Sequence, residues 1–130
     1  MKKLQLFASG NYGHFYEAII PSIKKYKVDV ISMTYNSHCA IRSCSSFYFY
    51  EEFNSVFESI TWSDICRCAK IINLYKVLVV DKKHIKSRSN KFQEKYIAAC
   101  FNIFDDHFKK TSPNFVFFPI IETVESMLDY

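Results

Sequence analysis

Residues 4–15 read LQLFASGNYGHF, and this stretch carries most of the information about the fold. Its first five residues are almost entirely apolar, as expected for a strand buried on both faces of a parallel sheet. Ser9–Gly13 then reads as a turn, and His14–Tyr26 reads as an amphipathic helix that Pro21 should kink. The β-branched run Val28–Thr34 follows as a second strand. The opening of the chain therefore predicts a βαβ unit with parallel strands.

The rest of the chain continues the alternation of strands and helices. The predicted helix at the start places four apolar residues on its inner face, namely Phe15, Ile19, Ile23 and Tyr26. A polar loop over Tyr35–Ser46 and a short third strand over Phe47–Tyr50 are predicted next. Helical structure follows over Glu52–Tyr75, with a break capped by Thr61 or Ser63. A long helix over Asn90–Lys110 and a last buried strand over Phe115–Ile121 complete the chain. Val77–Val80 fits either a strand or the end of the preceding helix. Together these segments predict one α/β domain over residues 1–130, a Rossmann-like open parallel sheet flanked by helices.

The long helix carries the clearest periodic pattern in the chain. Its predicted apolar stripe consists of Phe92, Tyr96, Ala99, Cys100, Ile103, Phe104 and Phe108. Thr111–Asn114, which includes Pro113, should end this helix before the last strand begins.

Composition excludes several classes of protein. The 130 residues are 49% hydrophobic, which supports a real core and argues against disorder. The net charge of +4 is too small and too scattered to indicate a nucleic-acid-binding protein. No apolar run is long enough to predict a transmembrane segment, and Leu4–Ala8 is too short for a signal peptide. These features predict a cytoplasmic protein.

The five cysteines predict neither disulfides nor a zinc site. The spacings Cys39–Cys44 and Cys66–Cys68 differ from those of zinc ribbons, and Cys100 stands alone. We interpret them as free thiols packed as small apolar residues. The consecutive residues of the Asp105–His107 segment cannot converge on one ion. No metal and no other cofactor is expected.

The only two glycines of the chain, Gly10 and Gly13, both lie in the turn after the first strand. Two interpretations stay open. The glycines either only form a tight strand-to-helix turn, or they need positive φ or close backbone approach because Gly10, Asn11 and Gly13 face a ligand. The amino end of the following helix would suit a carboxylate or phosphate. The spacing matches neither the dinucleotide-binding fingerprint nor a Walker loop.

Two residues beside this turn and the last strand are candidates for catalysis. His14 could act as a base, since a helix amino end lowers the pKa of imidazole, or it could simply bond a backbone group. Glu122 ends the last strand at the edge where open α/β sheets bind ligands. It could bind hydroxyls or orient a base, or it could only stabilise the amino end of a helix that starts at Thr123.

Two further groups have alternative interpretations. The segment with Lys82, Lys83, Lys86, Arg88 and Lys91 contains no acid, and it is either a phosphate contact or, as we favour, a solvated loop and helix start. Tyr48, Tyr50 and Trp62 are either an aromatic platform or, as we favour, part of the core.

Residues 4–15, with the pattern G-x-x-G-H at Gly10–His14, resemble the amino-terminal strand and turn of GT-B-type glycosyltransferases. They are similar in particular to bacterial capsule and surface-polysaccharide biosynthesis proteins. Ser63–Cys68, with Arg67, resembles the arginine-bearing middle helix of that family. Ser112–Phe118 resembles its proline-amide segment before an apolar strand, with Glu122 beyond it.

This resemblance implies transfer of a sugar from a nucleotide-sugar to an acceptor glycan. It implies one half of a GT-B architecture, the acceptor-side domain, with catalytic roles for His14 and Glu122 and a ligand-binding role for Arg67. Peripheral membrane association is compatible with it. The last helix stops early at Tyr130, so we expect a truncated or partial domain that is inactive alone. The alternatives are a non-catalytic module that binds a small anion at Gly10–Gly13 and, less favoured, a small phosphate-handling enzyme.

Overall fold

A computed structural model of the chain describes residues 1–8, 12–32, 45–74, 76 and 87–117. Within these ranges strands and helices alternate. The elements are β1 (Lys2–Ala8), α1 (Tyr12–Ile19), a 3₁₀ helix (Ile20–Ser22), β2 (Tyr26–Ser32), β3 (Ser45–Tyr48), α2 (Phe49–Ser59), α3 (Trp62–Ile71), α4 (Asn90–Thr111) and β4 (Phe115–Phe117). The predicted loop over Tyr35–Ser46 lies outside the described residues as far as position 44, and Val77–Val80 lies outside them entirely.

The four strands form one parallel sheet in the order β3–β2–β1–β4. In the register of this sheet, Leu6 of β1 lies opposite Val30 of β2 on one side and Phe117 of β4 on the other. The predicted βαβ unit is thereby confirmed in its parallel pairing. The chain is an α/β protein, as its sequence predicts.

The chain divides into two units. The first contains Met1–Glu52 and Lys110–Pro119, and it holds the sheet and α1. The second contains Phe53–Lys109 and Ile120–Tyr130, and it holds α3 and most of α2 and α4. The single domain expected over residues 1–130 stays a prediction.

The core of the first unit forms where α1 and the 3₁₀ helix pack on the central strands. Buried apolar side chains from β1 and β2 meet Tyr16 and Ile20, and together they comprise Leu6, Ala8, Tyr16, Ile20, Val28 and Val30. Tyr16 and Ile20, which the sequence prediction did not include, are thus buried, whereas the side chain of Phe15 lies outside the description. Ile19 and Tyr26 only pack against its margin, and Ile23 is half-buried. A tyrosine is apolar over most of its surface, so helical spacing alone could not decide which aromatic side chain faces the sheet.

The predicted helix over His14–Tyr26 is too long at its carboxyl end. The α-helix ends at Ile19, and Pro21 lies in the 3₁₀ helix that follows. The N–H of Ile23 donates to the carbonyl of Ile20 at 2.9 Å, and Tyr26 already begins β2. Proline removes a donor and its ring clashes with the preceding turn, so the helix stops here rather than bending.

A capping box separates α2 from α3, as expected for Thr61. The N–H of Asp64 donates to the Thr61 hydroxyl oxygen at 3.3 Å, while the Thr61 N–H donates to the Asp64 carboxylate at 2.9 Å. These bonds from Thr61 hold the pKa of Asp64 below its ordinary value. The carboxylate therefore adds stability above the ordinary pKa of aspartate, and this contribution is lost as the pH falls through the lowered value.

The second unit is built around α4. The predicted stripe is confirmed at five of its positions, since Tyr96, Ala99, Cys100, Ile103 and Phe104 are all buried. Its amino-terminal part packs on α2 through aromatic rings. The ring centroids are 4.8 Å apart for Phe53 and Tyr96 and 5.2 Å apart for Phe57 and Phe92.

Directly after α4 lies the only residue other than glycine with positive φ in the described part of the chain. Ser112 has φ of 45°, directly after the last helical residue, Thr111. A left-handed residue after a helix ends it, and glycine adopts that conformation without the steric cost of a Cβ atom.

Replacing Ser112 with glycine is expected to stabilise the chain by about 0.5–1 kcal/mol, because removal of the Cβ strain exceeds the added entropy of the unfolded state. Urea unfolding followed by circular dichroism would measure it. The control is Ser55→Gly, which places glycine at an exposed position in the middle of α2 and should destabilise. Equal destabilisation by both changes would contradict the prediction.

The sequence predicts the third and last strands imperfectly. β3 covers Ser45–Tyr48, because Phe49 already starts α2. The last strand was expected to be buried, but all three of its described residues are exposed, with Phe115 at 47% and Phe117 at 51%. The centroid of the Phe115 ring lies 5.5 Å from the Lys2 ammonium and 6.0 Å from the centroid of the Tyr26 ring. An apolar run predicts a strand but not its burial, which depends on what covers it.

Candidate functional site

The carboxyl ends of β1 and β4 define the candidate site. From β1 the chain continues to β2 on one side, whereas β4 lies on the other side of β1. Open α/β sheets bind ligands at such a point, where the connections from two neighbouring strands diverge. Gly10 and Asn11 follow β1 in the sequence, and Glu122 follows β4. These three predicted site residues lie outside the described residues.

Gly13 belongs to the first turn of α1 and not to the preceding turn, whereas His14 is helical as predicted. This corrects the predicted turn over Ser9–Gly13. Helical backbone has negative φ, so the conformation of Gly13 does not require glycine. Of the two reasons considered for a glycine here, close approach of another group is the one that fits a helical position. The imidazole of His14 lies outside the description, and its catalytic role stays a prediction.

Tyr16 fixes α1 beside the end of β1, and sequence reasoning did not single it out. Its side chain is fully buried, and its hydroxyl donates to the carbonyl of Phe7 at 3.0 Å. Phe7 is the second-last residue of β1, so this bond joins the helix to the strand two residues before the glycine segment, Ser9–Gly13, begins. The four-residue spacing of Tyr16 and Ile20 was the signal that could have predicted their burial on one face of the helix.

Asn114 and Lys3 join the start of β4 to β1. The Lys3 N–H donates to the Asn114 side-chain oxygen at 2.8 Å, and the Asn114 N–H donates to the Lys3 carbonyl at 2.9 Å. The Lys3 ammonium also donates to the carbonyl of Thr111 at 2.9 Å. The amide of Asn114 thus sets the register that brings Phe117 beside Leu6 at the carboxyl end.

Arg67, the predicted ligand-binding arginine, lies on α3 and contacts α4. Its guanidinium donates to Asn102, lies 3.6 Å from the Asp105 carboxylate and stacks 5.6 Å from the Phe101 ring. Asp105 also accepts from the Lys109 ammonium at 2.8 Å. These contacts give Arg67 a clear role in packing α3 on α4. Its role in ligand binding stays a prediction.

Replacing Arg67 with alanine is expected to lower the free energy of unfolding by about 1 kcal/mol, because a half-exposed ion pair and a cation–π contact are lost together. Chemical unfolding would measure the change. Lys70→Ala is the matched control, since Lys70 is an exposed cation on the same helix. A loss no larger for Arg67→Ala than for the control would show that the network does not hold the helices together.

Two of the three described cysteines are buried, and the third, Cys66, is half-buried. Cys68 and Cys100 form no disulfide and are fully buried, which confirms for these two the interpretation as small apolar residues. Burial raises the pKa of the Cys68 thiol to about 11, so that it stays protonated at neutral pH. Cys39 and Cys44 lie outside the described residues. In the part of the chain that the structure describes, no three acidic, histidine or cysteine side chains are placed to share a metal ion.

A concave site lies within the second unit, which we call the helical unit. A pocket of about 400 Å³ is lined by residues from the α2–α3 junction, α3 and the first half of α4, namely Ile60, Thr61, Trp62, Ile65, Lys91, Glu94 and Lys95. Trp62 is 70% exposed, so the favoured interpretation of this side chain as core is wrong. Trp62 directly follows the capping residue Thr61, and this position could have predicted its exposure because the first residue of a helix faces outward in many helices. Tyr48 and Tyr50 are half-buried.

The basic segment is described only at its carboxyl end. Arg88 lies with its guanidinium 4.8 Å from the Phe92 ring, and Lys91 is an exposed residue in the first turn of α4. This agrees with the favoured interpretation of a solvated helix start for these two residues. Lys82, Lys83 and Lys86 lie outside the described residues.

No protein-family model, no curated protein and no solved structure matches this chain. Within the described ranges, no helix has both the length and the apolar character needed to cross a bilayer. The parallel sheet and its strand order define the chain as an α/β protein.

Proposed function

We propose that this chain is the acceptor-side domain of a cytoplasmic glycosyltransferase that builds bacterial capsular or surface polysaccharide. In this proposal the sheet edge at the ends of β1 and β4 holds a hydroxyl-rich acceptor glycan. His14 serves as the base that takes the acceptor proton, and Glu122 orients the acceptor or the imidazole.

The observation that carries the proposal is the strand order. β3–β2–β1–β4 with parallel pairing is the order in which Rossmann folds arrange their first four strands, with the ligand at the ends of strands one and four. In this chain that place falls where the G-x-x-G-H segment follows β1. The resemblance of that segment to polysaccharide glycosyltransferases supplies the reaction class, while the topology supports only a ligand at this edge.

The second candidate is a non-catalytic module that binds a small anion. The observation in its favour is that α1 starts only four residues after β1 ends, which places the amino end of a helix near the end of the strand. The unpaired N–H groups and the positive dipole end of a helix attract anions. In this case phosphate or a carboxylate would bind and glycans would not.

The isolated chain is expected to bind acceptor glycans without transferring sugar. Transfer needs donor and acceptor held together, and a departing nucleotide diphosphate needs a cationic clamp, a metal or a second helix end. The purified chain would be screened against immobilised bacterial glycans and then incubated with nucleotide-sugars while released nucleotide is measured.

Glycan binding that His14→Ala weakens, with no release of nucleotide, would support the proposal. Lys24→Ala, an exposed change beyond the 3₁₀ helix, is the control and should bind like the unchanged chain. Release of nucleotide that His14→Ala abolishes would show that these 130 residues suffice for transfer. Binding of inorganic phosphate but of no glycan would favour the anion-binding module.

A further inference from the structure

The pocket in the helical unit has the volume of a small-molecule site. Its volume of about 400 Å³ lies within the range of clefts that hold ligands of mononucleotide size. Ile60 and Ile65 contribute apolar surface to it, and Ile65 is buried. Polar groups from α4 line the same pocket. This combination of apolar surface with a few charged groups is typical of sites that bind one face of a ligand and fix its orientation.

Trp62 gives this pocket a flat apolar surface. It is the first residue of α3, and 70% of its surface is exposed to water although it is the largest apolar side chain of the chain. An indole in this state can stack against a nucleobase or against the C–H face of a sugar ring. Burying it under a ring would remove apolar surface from water, which is favourable.

Lys91 and Lys95 place two cations at the same pocket. They stand four residues apart on α4, a spacing at which like charges repel. The Lys95 ammonium lies 4.7 Å from the Phe57 ring centroid, which fixes its position beside the pocket. Glu94 contributes one carboxylate, so the charged side chains that line the pocket carry a net charge of +1. An anionic group bound by both ammonium groups would relieve their repulsion.

The amino end of α3 also borders the pocket, but it does not provide the anion site. The capping box of Thr61 and Asp64 already uses the Thr61 hydroxyl and places a carboxylate at this helix end. An additional anion there would meet the charge of Asp64. The lysines of α4 are therefore the groups that an anion would contact, and Glu94 would accept hydrogen bonds from hydroxyls.

We propose that this pocket binds a phosphorylated compound with a hydroxyl-bearing ring, either a mononucleotide or a sugar phosphate. The ring stacks on Trp62, the phosphate is bound by Lys91 and Lys95, and a hydroxyl donates to Glu94. This site belongs to the helical unit and does not depend on the function proposed for the sheet edge.

The chain offers a built-in reporter, since Trp62 is its only tryptophan. Its emission would be followed while the full chain is titrated with adenosine 5′-monophosphate, glucose 1-phosphate, adenosine and inorganic phosphate. At least one of the two phosphorylated ring compounds should change the emission saturably and protect Trp62 from quenching. Adenosine and phosphate alone should bind at least about tenfold more weakly, because each lacks one of the two contacts.

The preferred compound identifies the source of the ligand. A stronger response to adenosine 5′-monophosphate indicates a nucleotide, and a stronger response to glucose 1-phosphate indicates a sugar phosphate. Without ligand, iodide should quench Trp62 more efficiently than caesium, because the neighbouring lysines attract anions.

Variants test the individual contacts. Lys91→Ala and Lys95→Ala should each weaken binding about tenfold, as expected for loss of a charged hydrogen bond. Trp62→Ala should weaken it by a similar factor, measured by calorimetry because the reporter is removed. Lys70→Ala, an exposed lysine outside the pocket, should leave the affinity unchanged.

Three outcomes would overturn the proposal. The first is no change in emission with either phosphorylated ring compound, and the second is equal affinity in the lysine variants and the control. The third is an emission shift caused by vesicles of anionic lipid with no response to the small compounds, which would make this face a membrane contact.

Discussion

Replacing Tyr16 with alanine is expected to lower the free energy of unfolding by about 3–5 kcal/mol, the largest effect of any single substitution proposed for the first unit, which holds the sheet. The side chain is fully buried among Leu6, Ala8 and Val30, so its removal leaves a cavity in the core of that unit. Native domains have a total stability of about 5–15 kcal/mol, so Tyr16→Ala should lose a large fraction of it. Urea titration monitored by circular dichroism would measure the loss.

Tyr16→Phe separates the hydroxyl from the ring. It keeps the packing and removes only the donor to the Phe7 carbonyl, and it should cost about 1 kcal/mol. Tyr26→Phe, which changes a half-buried tyrosine at the margin of the same core, should stay within about 0.5 kcal/mol of the unchanged chain. If Tyr16→Ala cost no more than Tyr16→Phe, the ring of Tyr16 would not be part of the core.

Replacing Gly13 with valine is expected to abolish glycan binding while leaving stability within about 0.5 kcal/mol of the unchanged chain. Gly13 is helical, and valine is no worse than glycine in a helix, so folding should not suffer. The added side chain would occupy the space through which a ligand approaches the backbone. Binding to the glycans selected in the screen, measured beside chemical unfolding of the same preparations, would separate the two effects.

Ala18→Val is the matched control for Gly13→Val. It adds a β-branched side chain at an exposed position of the same helix, so binding should be unchanged and stability should fall by about 0.6 kcal/mol. Normal binding by Gly13→Val would remove the glycine segment from the site. A loss of several kcal/mol in its stability would show instead that the backbone at this position needs glycine.

The candidate site could be foreseen only in part. Strand β1 and the presence of a helix after it were recognisable because an apolar run followed by the chain's only glycines is a local pattern, although the helix starts two residues earlier than predicted. The strand order could not be recognised this way, because it depends on which side of β1 the distant strand β4 pairs. Trp62 and Lys91 are 29 positions apart in the numbering, and no local pattern could show that they line one pocket.

The sequence by itself determined the elements whose signals are local. The helical period of α4, a capped break at Thr61 or Ser63 and the parallel pairing of β1 with β2 all follow from spacing and side-chain chemistry over short stretches. Only the tertiary structure decided that α1 turns Tyr16 towards the sheet, that the residues of β4 are exposed and that Arg67 packs α3 on α4. Burial and pairing are set by contacts between residues far apart in the chain, and apolar character alone does not specify the partner that covers it.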